Sequence, residues 1–219
     1  MSESAPPSYD AFSNLLEPAI SEQHCVLEKD TLRKLHAYFI LLLKWNKAFN
    51  LSAIRDPEEA LYKHLVDSLS VQPGFAEHEC GNIIDVGTGG GLPGMVLAIC
   101  HPERNFTLLD SAGKKIRFLF QVRQSLGLSN VQLENRRVEQ FQPDQAFDLV
   151  ISRAFTSLKN FTELTGHLLE PDGEFWAMKG QFPEQELSEM GKHYIVAKHQ
   201  PLTVPGVDGE RCLIRLVKS

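Results

Sequence analysis

The stretch Asp85-Val86-Gly87-Thr88-Gly89-Gly90-Gly91-Leu92-Pro93-Gly94 constrains this chain more than any other part of it. It continues Asn82-Ile83-Ile84-Asp85-Val86, a short apolar run without alternation, which is how a strand buried on both faces reads. Glycines after such a strand let the backbone turn sharply and let a ligand approach the main chain with no Cβ in between. Pro93 suits the first turn of a following helix, where its missing N–H costs nothing. Strand, glycine turn and helix in that order open a parallel α/β sheet.

The downstream sequence keeps that rhythm. A helix is predicted over about 92–101, a strand at Phe106–Asp110, a helix over about 112–126 closed by Gly127, and strands at Val131–Leu133 and Phe147–Ile151. A helix over about 157–169 then leads to a strand at Glu174–Met178. Alternation of this kind specifies right-handed crossovers and a sheet covered on both faces. Tyr194–Lys198 and Arg211–Val217 are strand-like with a Pro- and Gly-containing loop between them, so an antiparallel pair at the sheet edge is expected. Upstream, Pro6-Pro7 makes the first eight residues a frayed tail. From Asp30, with Asp30 or Thr31 as cap, Leu32, Leu35, Phe39, Leu42, Trp45 and Phe49 recur at helical spacing and mark a buried face. After Asp56-Pro57 a second helix is expected over about 58–70, with His64 and Asp67 on one face. The fold class is therefore a doubly wound, mostly parallel sheet with an antiparallel C-terminal edge and an N-terminal helical extension.

Composition excludes several classes. The longest apolar run, Phe39–Leu43, is far short of the roughly 18–20 residues of a membrane span. The N-terminus has neither a basic nor an apolar segment of a secretory signal, so a cytoplasmic protein is expected. Cys25, Cys80, Cys100 and Cys212 form no CxxC pair, which argues against a zinc ribbon, and no metal is expected. The net charge of -6 argues against a generic nucleic-acid coat. It is unevenly spread: residues 57–109 carry -5 and 161–219 carry -3, whereas 110–160 carry +3. A basic surface on an acidic body remains a footprint for a polyanion.

Two chemistries fit the glycine turn. Gly89-x-Gly91-x-x-Gly94, with Asp110 about 20 residues on, matches a dinucleotide fingerprint. Asp85-x-Gly87-x-Gly89-x-Gly91 matches the first motif of S-adenosylmethionine-dependent methyltransferases. A pyrophosphate would be repelled by a nearby carboxylate, while the ammonium and sulfonium of S-adenosylmethionine suit Asp85.

Further motifs follow in one order: Trp45-Asn46-Lys47 with Asn50-Leu51, His64-x-x-Asp67-Ser68-Leu69, the glycine turn, and Leu108-Leu109-Asp110-Ser111 with Lys114-Lys115. Arg136-x-Val138-Glu139, Ser152-Arg153-Ala154 and Lys179-Gly180-Gln181 continue the series. Over about residues 38–182, and again at Asp208-Gly209-Glu210-Arg211, the chain resembles the bacterial 16S rRNA guanine-N7 methyltransferases of the RsmG (GidB) family. The resemblance implies a cytoplasmic enzyme that uses S-adenosylmethionine to methylate guanine N7 in 16S ribosomal RNA or the small ribosomal subunit, without a membrane partner and as a monomer. Residues 1–72 would form the tail and helical extension, packed on a methyltransferase domain of residues 73–219. Gly87 and Leu92 would line the cofactor through the glycine turn, and Asp85, Gly89 and Gly91 would bind it as well. Asp110 would take the ribose hydroxyls, Val138 and Glu139 would border the adenine, and Arg153 would sit between cofactor and substrate. Gly90 stands where the family often has another residue, so a looser turn is expected.

The residues agree with such chemistry. Exocyclic amine methylation usually calls for an Asn/Asp-Pro-Pro-aromatic motif after the fourth strand, where this chain has Ser152-Arg153-Ala154-Phe155. Cytosine C5 chemistry needs a cysteine nucleophile, and none lies near the predicted strand ends after Cys100. Guanine N7 has a free lone pair and no proton to lose, so alignment suffices, and alignment can contribute about 7–11 kcal/mol. Arg153, the catalytic candidate, would contact O6, a phosphate or the cofactor carboxylate, since bidentate reading of O6 and N7 would block the reacting atom. Phe155 is a candidate for stacking on an unstacked base, with core burial the competing expectation. His64 and Asp67 either tie the N-terminal helices to the sheet or wall the cofactor pocket. Lys114, Lys115, Arg117, Arg123, Arg136 and Arg137 are candidate RNA phosphate contacts. A small-molecule methyltransferase would explain the turn but not the basic segment, and an NAD-type dehydrogenase would explain less.

Overall fold

The apolar run predicted as the first strand is β1 (Asn82–Val86), and its neighbours follow from its burial on both faces. The computed structural model describes residues 6–219, so the first five residues of the expected tail lie outside the described residues. β1 pairs in parallel with β2 (Asn105–Leu109) on one side and with β4 (Phe147–Arg153) on the other. β3 (Val131–Glu134) adds outside β2, and β5 (Leu169–Lys179) adds outside β4. β7 (Cys212–Lys218) then pairs antiparallel with β5, and β6 (Tyr194–Pro201) closes the edge antiparallel to β7. The full order is β3-β2-β1-β4-β5-β7-β6, the doubly wound, mostly parallel sheet with the expected antiparallel edge.

Pleating sends successive side chains to opposite faces, and each face has its own core. Ile83, Leu108, Leu149, Ile151 and Trp176 enter one cluster, whereas Ile84, Leu109, Val150 and Phe175 enter the other. The apolar runs lack alternation because both sides must be covered. The first face is covered by α1 (Tyr9–Glu22), α2 (Lys29–Phe49), α6 (Gly94–Cys100) and α7 (Gly113–Leu126), the second by α8 (Leu158–Thr165).

Several local differences from the sequence expectation have clear causes. α1 is masked in the sequence by Pro18, which lies inside it, yet Ser8 caps it by accepting from Ala11 N, and Phe12, Leu16 and Ile20 are buried. Pro7 is held as well, its carbonyl 3.0 Å from His36 Nε2. α2 starts at Lys29, which leaves Asp30 in its first turn rather than at its cap, and ends on Asn50 with φ 51°. The second predicted helix is divided: α3 (Pro57–Ala60), a π-helical stretch Leu61–Val66, and α4 (Asp67–Leu69). The short helices α5 (Gln72–Glu77) and α9 (Glu184–Ser188) carry too little periodicity to be seen in sequence. β5 begins at Leu169, five residues early, because its start pairs with Phe147 across a register shift.

α2 positions the functional region. Its buried face, Leu32, Leu35, Tyr38, Phe39 and Leu42, joins the core beneath α7, at about 1.5–3 kcal/mol for each fully buried large apolar side chain. The hydroxyl of the fully buried Tyr38 donates to Gly90 O at 2.7 Å, so the helix holds the glycine turn directly. Gly90, where a looser turn is expected, thus has its carbonyl held by α2. Tyr38→Phe keeps the packing and removes this bond, so urea unfolding should show a loss of about 1 kcal/mol. An unchanged midpoint would mean that the hydroxyl does not hold the turn.

Candidate active site

The cleft lies where the winding direction reverses. β1 is followed by β2 on one side while β4 returns on the other, so a crevice opens above the carboxyl ends of β1 and β4, where such sheets bind ligands. The turn leaving β1 is built by hydrogen bonds. Gly87 N and Thr88 N donate to Leu109 O, Gly91 N and Leu92 N donate to Thr88 O, and Gly89 N donates to Asp110 Oδ2 at 3.0 Å. Gly87 has φ +69°, and a Cβ there would lie 2.7 Å from Phe155 Cδ2, so only glycine fits.

Asp85 organises the turn from below. Fully buried, it accepts from Thr88 Oγ1 (2.7 Å) and Gly94 N (2.8 Å) through Oδ2, while Oδ1 has no partner. Burial is the main cause that raises its pKa to about 6, against the lowering effect of those two bonds. Asp85 and Gly91, expected as cofactor contacts, line neither cavity of the cleft: Asp85 is fully buried, and both shape the turn that does.

The other predicted residues divide between two adjoining cavities. The larger, about 570 Å³, is bordered by Gly87, Gly89, Leu92, His64, Asp67 and Arg153, among others. The smaller, about 350 Å³, is bordered by Asp110, Val138, Glu139, Arg136, Arg137 and Phe155. Gly87, Lys115 and Ala154 border both, so the two form one cleft. Asp110 accepts from Gly89 N, from Ala112 N (2.8 Å) and from Lys115 Nζ (3.2 Å). Lys114, Arg117 and Arg123 stand outside the cavities on α7, and Lys114 Nζ caps α2 through Phe49 O at 3.2 Å. Arg136 pairs with Glu134 at 2.9 Å.

Arg153 is half of a double clamp. Its Nη1 donates to Asp67 Oδ2 (2.5 Å) and to Lys63 O (2.8 Å), and Arg211 Nε donates to Asp67 Oδ1 (3.2 Å). The carboxylate thus joins α4, the end of β4 and the loop before β7, as the tying expectation for Asp67 has it, and it also borders the larger cavity. The Nε and Nη2 donors of Arg153 have no hydrogen bond among the described residues. His64 Nε2 lies 3.0 Å from Ser52 Oγ. Burial first, then the neighbouring Arg153 charge, push the His64 pKa down to about 4, leaving a neutral imidazole at pH 7. Asn46 explains its own motif, since its side chain donates to Ile54 O and accepts from Ser52 N, both at 2.6 Å, and so shapes the loop that carries Leu51 and Ser52 to the cavity.

Sequence reasoning misses Lys63 and Ser52 and gives Lys179 and Arg211 no role. Lys179 borders the larger cavity and is held by Glu186 Oε2 (2.7 Å) and Thr156 O (3.0 Å). Their places inside matched motifs are the available signal for Lys179 and Arg211. Ala154, with φ +54°, turns the chain between Arg153 in one cavity and Phe155 in the other, an uncommon conformation for a residue with a Cβ.

Sheet order, glycine turn and cleft define a class I methyltransferase fold. Solved structures of that class share it: a glycopeptide N-methyltransferase, MtfA, complexed with sinefungin aligns with TM-score 0.60 at 12% identity, over 70% of this chain and 94% of that one. NodS from Bradyrhizobium japonicum, an N-methyltransferase in complex with S-adenosyl-L-homocysteine, aligns with TM-score 0.55 at 13% identity, over 81% and 98%. The chain itself belongs to the GidB family, rRNA small subunit methyltransferase G, whose profile matches residues 31–214. It is 54% identical to the ribosomal RNA small subunit methyltransferase G of Saccharophagus degradans, over 99% of this chain and 96% of that one. It is 51% identical to the protein of the same name from Pseudomonas putida strain GB-1, over 84% of each.

The Asp85 carboxyl has a linkage consequence. Its pKa is about 6 in the fold against an ordinary 3.8, so its contribution to stability is fully present below about pH 4 and is lost as pH rises through 6. Two units correspond to about 3 kcal/mol as an upper figure. Asp85→Asn removes the titration, so the stability of the variant relative to wild type should rise from pH 4 to 7. Urea unfolding at several pH values reads this slope, and a pH-independent difference would show that the carboxylate ionises without penalty.

Proposed function

We propose that this chain methylates N7 of a guanine in 16S ribosomal RNA with S-adenosylmethionine, without a general base. The observation that carries the choice of cofactor is the hydrogen bonding of the glycine turn. The N–H groups of Gly87, Thr88, Gly89, Gly91, Leu92 and Gly94 are all used inside the protein, whereas a pyrophosphate needs bare N–H groups at such a turn. The residues fit the smaller cation instead. Asp110 and Glu139 supply acceptors in the smaller cavity, for ribose hydroxyls and an adenine edge beside Val138. Three of the roughly four acceptor sites of the Asp110 carboxylate are occupied, which leaves one for a ligand. Gly87 presents bare backbone, and Lys115 and Arg153 are cations for the cofactor carboxylate. When bound, S-adenosylmethionine supplies an electrophilic methyl group.

The larger cavity would hold the target base. Lys63, Lys115, Arg153, Lys179 and Arg211 border it, against one carboxylate, Asp67, already shared by two arginines. Such a cavity favours a nucleotide with its phosphate. It holds no free carboxylate as proton acceptor, and His64, with its pKa near 4, is a weak base. A nucleophile that must lose a proton is poorly served there, and guanine N7 loses none. Arg153, fixed by Asp67 and Lys63 O, would orient the base or its phosphate, and in-line alignment of N7 with the methyl group would do the rest. Lys114, Lys115, Arg117, Arg123, Arg136 and Arg137 would meet RNA phosphates around the cleft. Residues 1–72 would act as an extension of the methyltransferase domain of residues 73–219, in a cytoplasmic monomer.

Mass spectrometry of ribosomal RNA from cells with and without the gene tests the reaction. Loss of one 7-methylguanosine from 16S RNA is the expected outcome, and an unchanged profile would remove the reading. Arg153→Ala should lower methyl transfer to 16S RNA roughly 10-fold to 150-fold, the range for a missing hydrogen bond to a charged group. Wild-type turnover in that variant, assayed with radiolabelled S-adenosylmethionine, would take Arg153 out of the site.

A further inference from the structure

Two helices that flank the cleft share a property that catalysis does not explain. Residues 31–55 contain no aspartate or glutamate, and neither do residues 111–133, in a chain whose net charge is -6. These stretches include nearly all of α2 and all of α7, and the fold packs them side by side. Trp45 Nε1 donates to Gln121 Oε1 at 2.8 Å, and the Trp45 and Phe118 rings lie 5.7 Å apart. Lys114 Nζ donates to the Phe49 and Asn50 carbonyls, which draws the start of α7 against the end of α2. Acid-free sequence is thus brought together from both helices, with Lys44, Lys114 and Arg117 all exposed.

Each of the two helices also displays a phenylalanine, Phe49 at 49% and Phe120 at 54% exposure. Phe49 is braced by the Trp45 ring at 4.7 Å, and Phe120 stands one helical turn from Arg117. Single exposed apolar residues need no explanation. Two aromatic rings among three cations, with no carboxylate in either stretch, match the recipe for an unpaired nucleic-acid strand, in which rings stack on bases and cations track phosphates. The surface also leads to the cleft: Leu51 and Ser52 follow α2 into the larger cavity, and Lys115, next to Lys114, borders both cavities.

We propose that the last turns of α2 and the outward face of α7 form a docking platform for an unpaired RNA strand entering the cleft, with Phe49 and Phe120 as base-stacking positions. This rests on the RNA methyltransferase reading above and adds the form of RNA recognised. A duplex would use the cations and leave the rings idle.

The test uses the full chain with a fluorescent single-stranded RNA of about 12 nucleotides, within the range one such groove binds, and with its duplex. Binding is measured across a salt series, and methyl transfer to 16S RNA is followed in parallel. Wild type should prefer the single strand. Phe49→Ala with Phe120→Ala should weaken single-strand binding at least tenfold, given about 1–3 kcal/mol per stacked base, with the salt slope unchanged. Lys44→Glu with Arg117→Glu should instead flatten the slope by about 0.7 for each phosphate that is no longer neutralised. Both variants should retain the wild-type unfolding midpoint and S-adenosylhomocysteine affinity, which separates docking from folding. If wild type binds the duplex equally well, or the double phenylalanine variant binds the single strand as wild type does, the platform is wrong. If wild type transfers no methyl group to 16S RNA, the underlying reading fails instead.

Discussion

Everything in the cleft is placed relative to the turn between β1 and α6, and that turn is held by buried side chains on two sides. Asp85 fastens Thr88 and Gly94 from beneath, and Tyr38 of α2 fastens Gly90 from the flank. A glycine-rich segment would otherwise lose more conformational freedom on folding than any other. Burying the Asp85 carboxyl raises its pKa to about 6, a cost that two hydrogen bonds reduce without cancelling. Since the N–H groups of Gly87, Thr88, Gly89, Gly91, Leu92 and Gly94 are used to close the turn, a ligand there would meet chiefly carbonyls and bare Cα atoms, and recognition would pass to Asp110, Lys115 and Arg153 around the rim.

Asp67 plays the corresponding part for the larger cavity. Removing a carboxylate and two guanidinium groups from water is expensive, and a buried arrangement of this kind is weak evidence of added stability. Its effect is geometric. α4, the end of β4 and the loop before β7 are distant in sequence, and the shared carboxylate fixes their relative positions. The π-helical stretch ahead of Asp67 contributes as well, because Lys63 within it offers its carbonyl to Arg153. Such stretches recur at functional sites. The helical N-terminal region is therefore part of the cleft wall rather than a separate appendage.

What can be read from sequence alone follows from the range of the interactions involved. β1, β2, β4 and the αL end of α7 at Gly127 are legible because burial on both faces and glycine punctuation act over a few residues. The division of the cleft into a region around Asp110, Val138 and Glu139 and another around Arg153 is legible through motifs in register. The Asp85 carboxyl is not, because its residue type fits a ligand contact as readily as a buried staple, and only burial decides between them. The π-helical stretch is hidden since its sequence has ordinary helical periodicity. Ala154 carries no signal, because alanine seldom adopts a positive φ. Lys63 and Arg211 escape for a different reason: the bonds that bring them to Arg153 and Asp67 span 90 and 144 residues.

Charge shows most clearly how fold and sequence divide the work. Summed by segment, only residues 110–160 are basic, which would confine a polyanion to that stretch. The larger cavity instead draws Lys63 from the most acidic segment, Lys179 and Arg211 from another acidic one, and Arg153 from the basic one. Folding sorts charge by position, and counterions at about 0.15 M salt screen whatever lies more than roughly 8 Å away. Cations in and beside the cleft would therefore act on a bound strand at short range, while the acidic remainder would oppose diffuse attachment elsewhere. A net charge of -6 is thus compatible with a ribosomal RNA substrate, because it confines attraction to the one region where the proposed reaction would occur.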